Sequence, residues 1–291
     1  MRLSKTEIEI AKKNNSQFVS LKYVENNAEL KQIDVFVNNL EKEFLVCRND
    51  INLKPIDNKN FIDPFRSLNT TSFFCENIAN KYNSRKLATE LLSKADEKFK
   101  SSFCAEISFW ISGENNAQNN YEFIANPIDK YTNLRSDIIS TLEGINIKTS
   151  VHIHGSTHGE SIITIKGNDV VDLSDNIIIT KFIIANIADS YGFTAQFNGL
   201  DNKITNLSLV IEGNNNDMDK LLYAMQKNIE QTSSFTSLDS VYGFELIGIN
   251  SYKITSENVV VKISLICKNE FIPYFAFAKL LLIQSRQKTL K

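Results

Sequence analysis

The stretch HIHGSTH, residues 152–158, holds all three histidines of the chain. Alternate residues of a β-strand point to the same side of a sheet, so an extended segment here would project His152 and His154 together. If the strand ran on without a break, His158 and Glu160 would join them. Imidazole and carboxylate groups are ordinary ligands of divalent transition metals. The pattern therefore predicts a candidate metal site of the zinc type.

A second interpretation of the same stretch requires no metal. Gly155, Ser156 and Thr157 are turn-forming residues, and a turn here would end the strand and leave the histidines beside a loop. The 4 cysteines are widely separated and form no fixed-spacing zinc pattern with the histidines. The choice between the two interpretations depends on the secondary structure around this segment.

The composition excludes several classes of protein. The chain has 291 residues, of which 42% are hydrophobic and 23% are charged, as in globular proteins. It has no apolar run of membrane-spanning length, and its first residues do not form a signal peptide, so we expect a cytoplasmic protein with no membrane partner. The net charge of -2 and the scattered lysines argue against a nucleic-acid partner.

Hydrophobic periodicity predicts a mixture of strands and helices. Segments 17–24 and 30–37 alternate around an Asn-Asn turn and indicate a hairpin. Strands are predicted over 105–112, 160–166 and 205–213, and helices over 83–99, 132–144, 174–192, 217–231 and 271–288. Ser174 or Asp175 is the predicted cap of the 174–192 helix, and Gly144 and Gly192 are predicted to end their helices. Hairpins among these elements favour an α+β fold over a doubly wound parallel fold.

The order of these elements, together with several motifs, resembles the glutamine synthetase family. Segment 18–37 resembles the family's opening β-grasp hairpin, and NFIDPF its Ile-Asp-Pro-Phe motif. NSRKLATELL is similar to the Asp-Pro-Arg helix, AEISFWI to the Glu-x-Glu-Phe-Phe strand, and GINSYK and IPYFAFAKLLL to two later motifs. The resemblance implies a small β-grasp domain over residues 1–80. It also implies a shortened catalytic-like domain over 81–291, in which an antiparallel sheet packs with helices.

The resemblance also implies where the family's metal ligands would stand. Segment 152–162 is similar to the family's His-His-Glu and Gly-Gln-x-Glu motifs. In a gapless register His152 corresponds to a family histidine, while His154 and Ile162 replace two metal-ligand glutamates. A gap would instead bring Glu160 to the second glutamate. We prefer the gapless register because it also keeps segment 174–176 in step with the family.

Further positions that the resemblance assigns to the active site have changed. Glu106 is kept in the Glu-x-Glu strand, but Ser108 takes the place of the other carboxylate, and Leu207 and Leu209 stand where histidines are expected. The family's substrate-binding arginines have no counterparts, and EKEFLVCR replaces the loop that a neighbouring subunit contributes. Phosphoryl transfer depends on such cations and carboxylates.

The resemblance therefore implies a catalytically inactive glutamine synthetase-like protein with a binding, assembly or regulatory role. We expect no required cofactor, a protein partner, and a monomer or small oligomer rather than a dodecamer. The alternative is a divergent glutamate-amine ligase or metal-dependent enzyme with a rebuilt site of the zinc type, formed by Glu106, His152, His154 and His158. The clustering of all three histidines favours this alternative.

Overall fold

The computed structural model describes residues 3–24, 30–40, 51–80, 83–94, 103–111, 122–197, 205–214, 244–253, 258–267 and 273–274. The chain forms two compact units, Met1–Arg85 and Lys86–Lys291; the boundary predicted from the sequence lies at residue 80. Within the described ranges, no helix combines the length and apolar character needed to cross a membrane.

The first unit is a four-stranded sheet with one helix. Helix α1 (Lys5–Lys13) begins with a capping box formed by Ser4 and Glu7. Strands β1 (Phe18–Val24), β2 (Leu30–Phe36), β3 (Leu53–Ile62) and β4 (Thr70–Asn77) lie in the order β2-β1-β4-β3. The β1–β4 pair is parallel and the other pairs are antiparallel. The β1–β2 pair confirms the predicted hairpin, whose Asn-Asn turn lies outside the described residues.

The Ile-Asp-Pro-Phe motif supplies a buried ion pair to this unit. Asp63 lies 3.1 Å from the ammonium group of Lys22, and both side chains are almost fully buried. Asp63 also accepts hydrogen bonds from the hydroxyl of Ser72 at 3.2 Å and from the backbone N–H of Phe65 at 3.1 Å. Burial lowers the pKa of Lys22, although Asp63 opposes this shift. The motif therefore has a structural role in the first unit.

The second unit is built on a seven-stranded sheet. Its strands are β5 (Phe103–Ile111), β6 (Thr149–His154), β7 (Glu160–Gly167), β8 (Ala195–Gln196), β9 (Thr205–Asn214), β10 (Phe244–Lys253) and β11 (Asn258–Cys267). The order is β10-β11-β9-β5-β7-β6, β8 also pairs with β5, and every pair is antiparallel. Helices α3 (Thr132–Gly144) and α4 (Val170–Ser190) pack against β5, β6 and β7. This arrangement confirms the predicted α+β class.

The helices agree with the sequence predictions except at particular residues. Helix α2 (Ser84–Lys94) buries Ala88, whereas Leu87 is 42% exposed. Helix α4 begins four residues before the predicted cap, because the carboxylate of Asp169 accepts hydrogen bonds from the N–H groups of Val171 and Asp172. The predicted helix over 217–231 lies outside the described residues. Of the predicted 271–288 helix, only residues 273–274 are described, and they are helical.

Candidate functional site on the seven-stranded sheet

A hairpin turn interrupts the histidine-rich segment. Strand β6 ends at His154 and β7 begins at Glu160. The turn between them is closed by hydrogen bonds from the N–H of Gly155 to the carbonyl of Glu160, at 2.9 Å, and from the N–H of Glu160 to the carbonyl of Thr157, at 3.1 Å. Gly159 has a φ of +74°, which glycine adopts without strain. The predicted turn is confirmed, and His158 does not continue the alternation of β6.

The carboxylate of Glu160 holds this turn together. It accepts hydrogen bonds from the N–H and hydroxyl of Thr157, both at 3.1 Å, and from the hydroxyl of Ser156 at 3.3 Å. The indole N–H of Trp110 donates to the same threonine hydroxyl at 2.9 Å. A Cβ on Gly155 would lie 2.3 Å from the Glu160 side chain, so only glycine leaves room for it. The carboxylate of Glu160 therefore stabilises the turn.

One face of the sheet, which we call the Glu106 face, carries three of the four positions where the resemblance places metal-ligand carboxylates. Ser108 on β5 is directly paired with Ile162 on β7, and Glu106 is paired with Thr164. Paired residues of antiparallel strands point to the same side, as do residues two apart on one strand. Glu106, Ser108, Ile162 and Thr164 therefore share this face. Ser108 is 3% exposed, so its position lies within the protein.

The opposite face, which we call the helix face, carries His152 and His154. His152 is paired with Ile163, which is paired in turn with Ile107. Ile163 and Ile107 are buried where α3 and α4 pack on the sheet. By the same register His154, Ser161 and Phe109 also lie on this face. The sheet thus separates Glu106 from the two strand histidines, and the structure does not bring the four predicted ligands together.

Both ring nitrogens of His152 have partners on α3. The Nε–H of Arg135 donates to Nδ1 of His152 at 3.3 Å. Nε2 of His152 lies 3.4 Å from the hydroxyl of Ser136, which itself donates to the carbonyl of Thr132 at 2.9 Å. An arginine can only donate, so Nδ1 is the acceptor and the ring proton resides on Nε2. Burial, and next the charge of Arg135, lower the pKa of His152, against an opposing effect of Asp129.

Arg135 is the centre of a buried polar network that the sequence analysis did not identify. Its guanidinium group pairs with the carboxylate of Asp129 and donates to the hydroxyl of Ser161 at 3.2 Å. The Arg135 and Asp129 side chains are 2% and 4% exposed. Burial acts to raise the pKa of Asp129, but hydrogen bonds from Arg135, Thr132 and a backbone N–H outweigh it and lower that pKa. The sequence signal was a charge on the apolar stripe of α3, at i−3 from Ile138.

The other two histidines lie at and after the end of β6. His154 is 5% exposed, and its Nδ1 lies 2.8 Å from the carbonyl of Gly155, so Nδ1 carries the proton and donates. His158 lies in the turn. Within the described part of the chain, no group of three or more histidine, cysteine, aspartate or glutamate residues is arranged to hold a metal ion. A histidine metal site stays a prediction.

Fold and site together define an α+β protein whose antiparallel sheet has two helices on one face, while Glu106, Ser108, Ile162 and Thr164 lie on the other. Residues 20–206 match the family described as glutamine synthetase, catalytic domain. The chain belongs to the glutamine synthetase family.

Curated relatives match over a short segment. The glutamine synthetase of Methylococcus capsulatus is 35% identical over 72 residues, which cover 24% of this chain and 15% of that protein. The 3-hydroxylaminophenol mutase of Cupriavidus pinatubonensis is 33% identical over 72 residues, with the same shares. Each segment thus covers well under two thirds of the relative's own length.

Solved structures match along the whole fold. The cryo-EM structure of Plasmodium falciparum glutamine synthetase has a TM-score of 0.76 and 14% identity, and the match covers 100% of this chain and 76% of that chain. GmaS, solved without ligand, has a TM-score of 0.72 and 12% identity, with 96% and 80% covered. At such identities the likeness establishes the fold, which is the one that the sequence resemblance implied.

Proposed function

We propose that this chain is a catalytically inactive member of the glutamine synthetase family with a binding, assembly or regulatory role. One observation carries the proposal. Ser108 and Ile162 are paired neighbours on the Glu106 face, at two positions where the resemblance places metal-ligand carboxylates. Glu106 is the acidic side chain that remains of these three neighbouring positions.

The chemistry of the family explains why these changes matter. Forming a γ-glutamyl phosphate requires divalent cations to neutralise the triphosphate and to stabilise the transferring phosphoryl group. A neutral hydroxyl and an aliphatic side chain do not supply the charge that magnesium or manganese ligands provide. The third altered position, His154, lies on the helix face and donates its Nδ1 proton to a carbonyl. These contacts support a loss of the metal-dependent reaction.

The same proposal extends to cofactors and partners. We propose that the protein requires no cofactor, and that any metal bound by its histidines is of the zinc type, since imidazole suits borderline ions better than magnesium. Its partner is another protein, met in the cytoplasm, rather than nucleic acid or membrane. The net charge of -2 supports the exclusion of nucleic acid.

An activity assay tests the proposal. Purified protein is incubated with glutamate, ammonia and ATP in the presence of magnesium or manganese, and phosphate release and glutamine are measured. We expect both to equal the protein-free background, with an active glutamine synthetase as the positive control. Glu106→Gln is the matched variant because it removes one charge at nearly constant shape. Glutamate-dependent turnover that this variant abolishes would overturn the proposal.

A further inference from the structure

We propose that the guanidinium group of Arg135 takes the place of a metal ion beside His152. It binds the side chains that could act as metal ligands there and thereby excludes a metal ion. The groups come from three parts of the chain: the ring of His152 on β6, the hydroxyl of Ser161 on β7, and the carboxylate of Asp129 before α3. All three contact the same side chain. Such a set of nitrogen and oxygen donors is one that a divalent cation could use.

The position of the ring proton of His152 supports this assignment. A neutral imidazole has one lone pair for a metal, and in His152 that lone pair is on Nδ1. Nδ1 accepts the Nε–H of Arg135 at 3.3 Å, while Nε2 lies 3.4 Å from Ser136, whose hydroxyl proton goes to the carbonyl of Thr132. A metal at Nδ1 would therefore break the bond from Arg135. A metal at Nε2 would require the ring proton to move to Nδ1, against the same Arg135 donor.

Charge balance points the same way. Arg135 and Asp129 are buried and neutralise each other. A divalent ion beside them would add two positive charges next to a buried guanidinium group, where like charges repel strongly. The pKa of His152 is lowered first by burial and then by the charge of Arg135, so the same charge already disfavours a second proton on this ring.

This inference concerns the helix face, whereas the proposed loss of catalysis concerns the Glu106 face. The two proposals use different residues and fail separately. A zinc ion on His152 would leave Ser108 and Ile162 unchanged, and glutamine synthesis at the Glu106 face would leave the Arg135 network unchanged. The protonation state and zinc response of the His152 ring can be measured directly, without an activity assay.

Nitrogen NMR of the full chain, labelled with ¹⁵N and carrying no histidine tag, provides the first test. Three histidines give three side-chain spin systems, and His152→Asn identifies one of them. At neutral pH we expect a His152 ring with a bare Nδ1 and a protonated Nε2, unchanged when one equivalent of zinc is added. Elemental analysis should show less than stoichiometric zinc. A protonated Nδ1, a zinc-dependent shift of the His152 signals, or stoichiometric zinc that His152→Asn removes would overturn the inference.

Removal of the cation provides the second test. In Arg135→Met the side chain keeps its approximate length, and Nδ1 of His152 and the carboxylate of Asp129 lose their shared partner. We expect zinc to shift the His152 signals of this variant, with at least about tenfold tighter binding than in the wild type. Arg66→Met is the control, since Arg66 pairs with the part-exposed Asp34 in the first unit. A folded Arg135→Met protein whose His152 signals do not shift with zinc would contradict the inference. If this variant does not fold, the test relies on the wild-type spectrum described above.

Discussion

Ser108 on β5 and Ile162 on β7 are directly paired across the sheet, and Glu106, two residues before Ser108, lies on the same face. Three positions that the resemblance assigns to metal-ligand glutamates are thus immediate neighbours. One of the three is still a carboxylate. The register brings the three positions together, and two of them carry neutral side chains.

Restoring two carboxylates on the Glu106 face is therefore expected to restore cation binding. The double variant Ser108→Glu, Ile162→Glu places two carboxylates beside Glu106, and ligand charge is a main determinant of affinity at oxygen sites. We expect manganese to bind at least about tenfold more tightly than to the wild type, measured by electron paramagnetic resonance.

The control for this experiment carries the same change in charge elsewhere. Ile62→Glu, Ile78→Glu alters two side chains of the first unit that are 49% and 51% exposed. Circular dichroism should first show that both double variants are folded. Equal manganese affinity in the folded variants would mean that the three positions do not converge on one ion.

Acidification is expected to destabilise the protein through His152. Burial, followed by the charge of Arg135, lowers the pKa of this histidine in the native state, whereas in the unfolded chain it is about 6.5. The unfolded state therefore binds more protons just below that pH. The contribution of His152 to the free energy of unfolding is then complete above about pH 6.5, falls as the pH drops towards the native pKa, and levels off below it.

Urea unfolding between about pH 7.5 and about pH 5 measures this dependence. His152→Asn is the matched variant, because its amide oxygen can accept from Arg135 but does not titrate. We expect a smaller loss of stability on acidification in the variant than in the wild type. An equal loss in both proteins would assign the pH dependence to other groups.

Gly167 is expected to be essential for packing at the start of α4. A Cβ built on Gly167 would lie 2.6 Å from the backbone of Leu173, so alanine there must displace the helix. We expect Gly167→Ala to lower the free energy of unfolding by about 1–3 kcal/mol in urea denaturation. Gly144→Ala is the control: nothing lies within 4 Å of its Cβ, and alanine in α3 should stabilise by up to about 1 kcal/mol. Similar effects of both substitutions would contradict the packing argument.

The protein is expected to form a monomer or small oligomer. In the family that it resembles, rings close because the N-terminal domain of one subunit completes the active site of the next, and such a ring needs a heterologous interface on both sides. Segment EKEFLVCR, which replaces the contributed loop, lies outside the described residues. If the chain is catalytically inactive, as proposed, no reaction depends on the shared cleft or on the ring that forms it. Gel filtration with light scattering at micromolar concentration tests this, and a stable particle of about twelve subunits would contradict it.

Elements whose hydrophobic pattern is local could be predicted from the amino-acid sequence. The β1–β2 hairpin, β5, α3 and β7 all follow from periodicity along the chain, and α3 ends at its predicted residue, Gly144. Strand β4 shows the limit of this approach. Six successive residues from Thr70 to Cys75 are buried, so neither face is exposed to solvent and no alternation marks the strand.

The contacts of the histidines depend on tertiary packing and could not be predicted from the sequence. The spacing of His152 and His154 correctly indicates a shared face, but which face it is depends on pairing with β7 and on the helices that cover it. The sequence grouped Glu106 with the histidines, and the register separates them. Arg135 reaches His152 because α3 packs over β6. The sheet face, the hydrogen-bond partners and the protonation of these histidines depend on contacts between segments that are distant in sequence. Local periodicity carries no information about such contacts.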